Sequence, residues 1–163
     1  MKAKVTRMTR RGIAGLVVAV AAMACSHGAP AATPQPTASD VERTDFAPSL
    51  NVHLDSMTRR ASGLYVEDLE RGSGTVATQG RSVVVRYTGW LANGKEIDSG
   101  EITVTIGANK TIRAWDEGLL GMRVGGKRRL VVPPALGYGR AGAGDNIPPN
   151  AVLVFDMELR SVL

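Results

Sequence analysis

From Ser62 to the C-terminus the apolar residues recur at every second position, and a chain with that alternation has to form a sheet with one buried face. The segment from Ser82 to Leu91 shows it most cleanly, with Val83, Val85 and Tyr87 on one side and Val84, Arg86 and Thr88 on the other. Leu64 to Leu69 reads as an earlier strand, ended by Arg71-Gly-Ser-Gly74. Ala92-Asn-Gly94 supplies a turn, because Asn-Gly favours the tight hairpin conformations. Lys95 to Asp98 and Ile102 to Ile106 read as two further short strands, and Lys127 to Val132 as another, stopped by Pro133-Pro134. The last and longest strand is expected over Ala151 to Val162, with Leu153, Phe155, Met157 and Leu159 facing inward. One helix interrupts the series. Thr111 can cap it, Ile112, Trp115 and Leu119 fall at i, i+3 and i+7, and Gly121 can stop it. The expected fold is α+β, a twisted antiparallel β-sheet (a half-barrel) wrapped on one short amphipathic helix.

The 61 residues before this pattern divide by composition. Lys2, Lys4, Arg7, Arg10 and Arg11 precede residue 12 with no acid among them, and the apolar run Gly12 to Ala24 follows. A basic start, a short apolar core and small residues at its end read as a secretory signal peptide over residues 1–24. An uncleaved anchor is the alternative, although a spanning helix takes about 20 apolar residues. Removing those five cations from the 20 Lys and Arg leaves fifteen, against 15 Asp and Glu. The formal charge of +5 therefore sits on the leader. A neutral remainder argues against nucleic acid as a partner, since phosphate binding needs clustered surplus charge on the folded part.

Cys25, the single cysteine, directly follows the apolar run and resembles the lipidated cysteine of a bacterial lipobox. Ala22 and Ala24 are small as that signal requires, whereas Met23 is bulky. Ordinary cleavage after Ala24, or later after Ala31, is the competing reading. The expectation is an exported protein of the periplasm or cell envelope, touching membrane only through a lipid at Cys25. Arg10-Arg11 faintly resembles a twin-arginine signal, but adjacent arginines are common in such leaders. Residues 25–49, rich in Ala, Pro, Thr and Ser, read as a solvated linker, and residues 50–61 as a lead-in that is either a short helix or ordered coil. His27 and His53 lie apart from any cluster at ligand spacing, so no metal site and no cofactor are expected.

The chain has only seven aromatic residues, and Trp115, Tyr138 and Phe155 fall between Ala114 and Leu159 beside glycines or aliphatics. That setting reads as a small apolar cup for something flat and uncharged. Taken singly, Tyr87, Trp115 and Phe155 would be core residues of almost any sheet-plus-helix domain. Asp98-Ser-Gly100 would be a plain turn, Gly137-Tyr-Gly139 a loop with an exposed tyrosine, and Trp90 a packing residue. Taken together, in order and at compatible spacing, the motifs carry more. Val85-Arg-Tyr-Thr-Gly-Trp-Leu91, Asp98-Ser-Gly100, Ile112-Arg-Ala-Trp-Asp-Glu-Gly118, Gly137-Tyr-Gly139 and Ile147-Pro-Pro-Asn-Ala-Val-Leu-Val-Phe-Asp-Met-Glu-Leu159 resemble the FKBP family of peptidyl-prolyl cis–trans isomerases. The resemblance runs from about Ser62 to Leu163.

The resemblance implies an enzyme that accelerates rotation about X-Pro bonds in exported polypeptides, with proline-containing segments as substrates and macrolides as inhibitors. It implies that Trp115 is the pocket floor, that Tyr87 and Phe155 are aromatic walls, and that the Tyr138 hydroxyl bonds a substrate carbonyl. Asp98 falls on the rim, where it orients Tyr87 or polarises substrate. Thr111 and Ile112 fall where the family presents backbone to its ligand. Ile147 matches a flanking-loop aliphatic, and Ile97 and Val104 match wall positions. Ile97, Ile102 and Val104 stand where the best-known members carry phenylalanine, the link from Ser99 to Ile102 is shorter, and Ala143 and Asn146 replace bulkier residues. Fewer aromatic contacts weaken ligand grip. A module that binds proline segments with little turnover, or an envelope chaperone, is therefore the alternative function. A lipid-tethered protein with a vestigial pocket is a third.

Overall fold

The computed structural model describes residues 39–163. The signal peptide, the twin arginines, Cys25 and the first part of the expected linker lie outside the described residues. After a single helical turn α1 (Ser39–Glu42) come β1 (Thr58–Arg59), β2 (Tyr65–Glu70), β3 (Ser82–Leu91), β4 (Glu96–Thr105), helix α2 (Arg113–Leu119), β5 (Lys127–Val132) and β6 (Leu153–Val162). The strands form one sheet in the order β1-β2-β5-β6-β3-β4, every neighbouring pair antiparallel. This is the expected sheet with one short helix against it.

The alternation decides which face the helix covers. Val83 and Val85 on β3, Leu130 and Val132 on β5, and Leu153, Phe155, Met157 and Leu159 on β6 are all buried, and they meet Ala114, Trp115 and Leu119 of α2 in one core. Helix and sheet approach closely at Gly118, where a Cβ would stand 2.4 Å from Leu130 Cδ1. The buried Arg128 ties the same end of the helix down. Its guanidinium donates to Asp68 at 2.6 Å, to the Gly118 carbonyl at 2.7 Å and to the Leu120 carbonyl at 3.1 Å, satisfying helix-end acceptors that have no internal partner. Gly121 follows Leu120 with φ of 78°, the left-handed conformation that ends many helices, so this stop signal works as read.

Three expectations change. Lys95–Asp98 and Ile102–Ile106 are not separate strands, because β4 runs unbroken and pairs with β3 from Ser82 opposite Thr105 to Gly89 opposite Asp98. Asp98-Ser-Gly100, a turn by composition, is thus extended, its backbone held by the ladder. Thr111 does not cap α2. Ile112 takes the cap position without a side-chain bond, and the carboxylate of Asp116 turns back to accept from the N–H groups of Gly107 at 2.7 Å and Asn109 at 3.3 Å.

The third change concerns the N-terminal side, where folded structure begins before the expected boundary at residue 49. Val41, Leu50 and Met57 are buried against Tyr65, Val131, Val152 and Val154 on the sheet face opposite α2, and Trp90 packs there as well. Two 3-10 turns, Pro48–Leu50 and Leu54–Ser56, lead into β1, which pairs with the start of β2. Arg129 grips Asp156 through two bonds of 2.6 and 2.7 Å and also donates to the Leu50 carbonyl at 2.6 Å. The lead-in is a second hydrophobic layer of the domain.

Candidate active site

At one end of the α2-facing core the side chains part to leave an open cavity of about 390 Å³. Three of its four aromatic residues come from the sheet and helix, Tyr87 from β3, Trp115 from α2 and Phe155 from β6, and the fourth, Tyr138, from the loop after the 3-10 turn Pro134–Leu136. The ring centroids of Tyr87 and Trp115 are 4.8 Å apart at 70°, and those of Trp115 and Phe155 are 5.7 Å apart at 86°. Both are edge-to-face contacts, in which the positive edge of one ring meets the negative face of another. Trp115 is central to the trio and only 5% exposed. Gly89 makes room for the Phe155 ring: a Cβ there would stand 2.5 Å from its Cε1 and push that ring out of place.

The polar groups lie around this aromatic set. Tyr87 donates its hydroxyl hydrogen to Asp98 Oδ2 at 2.6 Å. That bond, helped by burial, pushes the Tyr87 pKa up to about 12, so the phenol stays a neutral donor at physiological pH. The bond links the two side chains across β3 and β4. Tyr138 is 40% exposed, and its hydroxyl has no hydrogen-bond partner among the described residues. Its backbone is nonetheless held, because the N–H groups of Gly137 and Gly139 on either side both donate to the Pro134 carbonyl. Ile112 lies at the cavity with its backbone N–H unpaired among the described residues, as expected for the residue opening a helix.

The far wall is a loop closed on itself. Ala143 and Ile147 exchange backbone bonds of 2.9 and 3.1 Å, which presents Ala143, Asn146 and Ile147 to the cavity. Gly142 is required for this turn: its φ is 65°, and a Cβ would stand 2.3 Å from the Ile147 carbonyl oxygen.

Nine of the ten expected pocket residues therefore meet at the cavity, namely Tyr87, Ile97, Asp98, Thr111, Ile112, Trp115, Tyr138, Ile147 and Phe155. Val104 does not. It is 7% exposed, sits opposite Val83 and belongs to the core. Ile102, two residues nearer the cavity on the same strand, lines it instead and is 40% exposed. Sequence reasoning also passed over Lys110, which lines the rim, and Asp116, which holds the turn carrying it. An acid one residue after the helix's tryptophan was the available signal for Asp116; Lys110 had none.

Comparison with known proteins agrees with this geometry. The sequence model of FKBP-type peptidyl-prolyl cis-trans isomerases matches residues 74–160. An FK506-binding protein of Neisseria meningitidis serogroup B is 48% identical over 105 residues, which cover 61% of this chain and 96% of that protein. FK506-binding protein 4 of Dictyostelium discoideum is 50% identical over 109 residues, covering 65% of this chain and 30% of that protein. Among solved structures, a peptidyl-prolyl cis-trans isomerase from Pseudomonas syringae pv. tomato superposes with a TM-score of 0.64 at 33% identity, over 80% of this chain and 98% of its own. FkpA from Escherichia coli gives 0.61 at 36% identity, over 71% and 55%. With its six-stranded antiparallel sheet, the helix α2 packed against it and this match over more than half its length, the chain belongs to the FKBP-type peptidyl-prolyl cis-trans isomerases.

Proposed function

We propose that the cavity between Tyr87, Trp115 and Phe155 is where this isomerase turns X-Pro bonds, by desolvation and hydrogen bonding rather than covalent or acid–base chemistry. The barrier to be lowered is about 18–20 kcal/mol and comes from amide resonance. At the twisted transition state that resonance is lost, the nitrogen becomes pyramidal and the amide dipole shrinks. An apolar pocket favours this less polar state over the planar ground state, which water solvates better. Trp115 supports the proline ring from below, and Tyr87 and Phe155 confine it. The unpartnered Tyr138 hydroxyl and the Ile112 N–H are free to donate to substrate carbonyls, and Asp98 keeps Tyr87 in position.

The observation that carries this reading is the buried edge-to-face trio beside an exposed, unpartnered tyrosine hydroxyl. A neutral hydrogen bond contributes about 0.5–1.5 kcal/mol, so Tyr138→Phe should lower kcat/KM about two- to tenfold. Stability should barely change, since the hydroxyl has no hydrogen-bond partner among the described residues. A protease-free isomerisation assay on a Leu-Pro peptide measures this. A variant as active as the wild type would remove Tyr138 from the site. Macrolides of the FK506 class would occupy the same cavity. The aliphatic Ile97 and Ile102 on its wall offer less aromatic surface and hence a weaker grip.

The leader supports export to the periplasm or cell envelope, with proline-containing segments of exported proteins as substrates. The five cations before residue 12, the apolar run to Ala24 and the cysteine after it carry that reading. Lipidation at Cys25 would tether the domain to a membrane through the residues that follow. Cys25→Ala is then expected to abolish incorporation of labelled palmitate and to move the protein from the membrane fraction to the soluble one. An unlabelled, soluble wild type would favour ordinary cleavage.

A further inference from the structure

Of the residues around the cavity, Asp98 is the one acidic residue and Lys110 the one basic residue. They are held differently. Asp98 sits on β4 and is engaged by the Tyr87 hydroxyl at 2.6 Å. Lys110 is exposed and has no carboxylate within ion-pair distance among the described residues. Its backbone is nevertheless anchored, since Asp116 accepts from Gly107 at 2.7 Å and Asn109 at 3.3 Å, pinning the turn that leads directly into Lys110. The cavity thus has an aromatic trio at its base and, on the side of the α2 entrance, a basic side chain on a fixed turn with no ion-pair partner among the described residues.

A proline ring carries no charge, so charge selection can arise only from the residues flanking it as they cross the rim. We infer that Lys110 is a specificity-determining residue that favours proline segments with an acidic side chain next to the proline. This rests on the cavity being the isomerase site. An acid crossing on the Lys110 side gives the ammonium a partner that the described residues do not supply, whereas a lysine there meets like charge. Asp98 stands on β4, and its carboxylate is already occupied by Tyr87. The contact is at the surface and is the same in the ground and transition states, so it should appear in KM more than in kcat.

The test is a protease-free assay on the full-length chain with five peptides: a neutral Leu-Pro reference, and Glu or Lys placed either before or after the proline. Exposed ion pairs contribute about 0.2–1 kcal/mol, so the wild type should favour Glu over Lys by about 1.4- to fivefold in kcat/KM at one of the two positions. Lys110→Gln should bring that ratio to about one, and Lys110→Glu should invert it. In 1 M salt, where the screening length is about 3 Å, the wild-type ratio should also collapse. A purely structural role for Lys110 would produce neither the inversion nor the salt effect. A Glu-to-Lys ratio that is the same in all three proteins overturns the inference. Failure of the folded wild type to accelerate even the neutral peptide overturns the site assignment, and the inference with it.

Discussion

Trp115→Ala is expected to destabilise the domain by about 3–5 kcal/mol and to abolish measurable isomerase activity. Both effects have one origin. Trp115 is almost fully buried, lies in the main core between helix and sheet, and makes edge-to-face contacts with both Tyr87 and Phe155. Truncating it removes the pocket floor and leaves a void that neighbours in a close-packed interior can fill only in part. The two walls lose the ring that holds them apart. Trp115→Phe separates stability from catalysis. The buried indole N–H has no hydrogen-bond partner among the described residues, so replacing it forfeits no bond. This variant should recover much of the stability and a measurable part of the activity. Urea denaturation and the isomerisation assay, run on both variants, check the pair of statements. If Trp115→Ala were folded and fully active, the proposed floor would be wrong.

A chain begun at Ser62, where the alternating pattern starts, should be too unstable to use, whereas one begun at Ser39 should fold. The difference lies on the sheet face away from the helix. Val41, Leu50 and Met57 cover Tyr65, Val131, Val152 and Val154 there, and β1 covers the edge of β2. Loss of a buried leucine side chain alone costs about 2–5 kcal/mol. Removing all three residues, the carbonyl bonded by Arg129 and the edge strand should exceed about 5 kcal/mol, the lower end of a typical domain's total stability. Equal urea midpoints for the two chains would show that the lead-in contributes nothing. The matched family segment begins only at residue 74, so this layer lies outside it.

Much of the site was legible because aromatic residues are scarce in this chain. Tyr87 and Phe155 stood at inward-facing positions of strands that alternation makes plain, and Trp115 stood on the apolar stripe of helix α2. The family resemblance then joined them to Tyr138, Asp98 and Ile147, and the cavity brings these together. Val104 shows where such reading stops. It lies on the same face of β4 as Ile102, and period two cannot tell them apart. The cavity opens beside Ile102, whereas at Val104 the sheet has closed onto the core at Val83 and Ile106. Depth along a face is a property of how the sheet curves, which no local pattern encodes.

The antiparallel sheet, its buried face, helix α2 with its glycine stop, and the family were all legible in the sequence, because each rests on local periodicity or on motifs fixed in order. Packing was needed to show that β4 is one strand, that residues 40–57 contribute to a second hydrophobic layer, and that Asp116 pins the turn before the helix while Thr111 does not cap it. Those outcomes depend on partners distant along the chain or reached by a turn: the ladder offered by β3, the apolar face left uncovered by β5 and β6, and two backbone N–H groups brought within reach of a carboxylate. Composition records which residues seek a partner, whereas the packed chain decides which partner is near enough to be found.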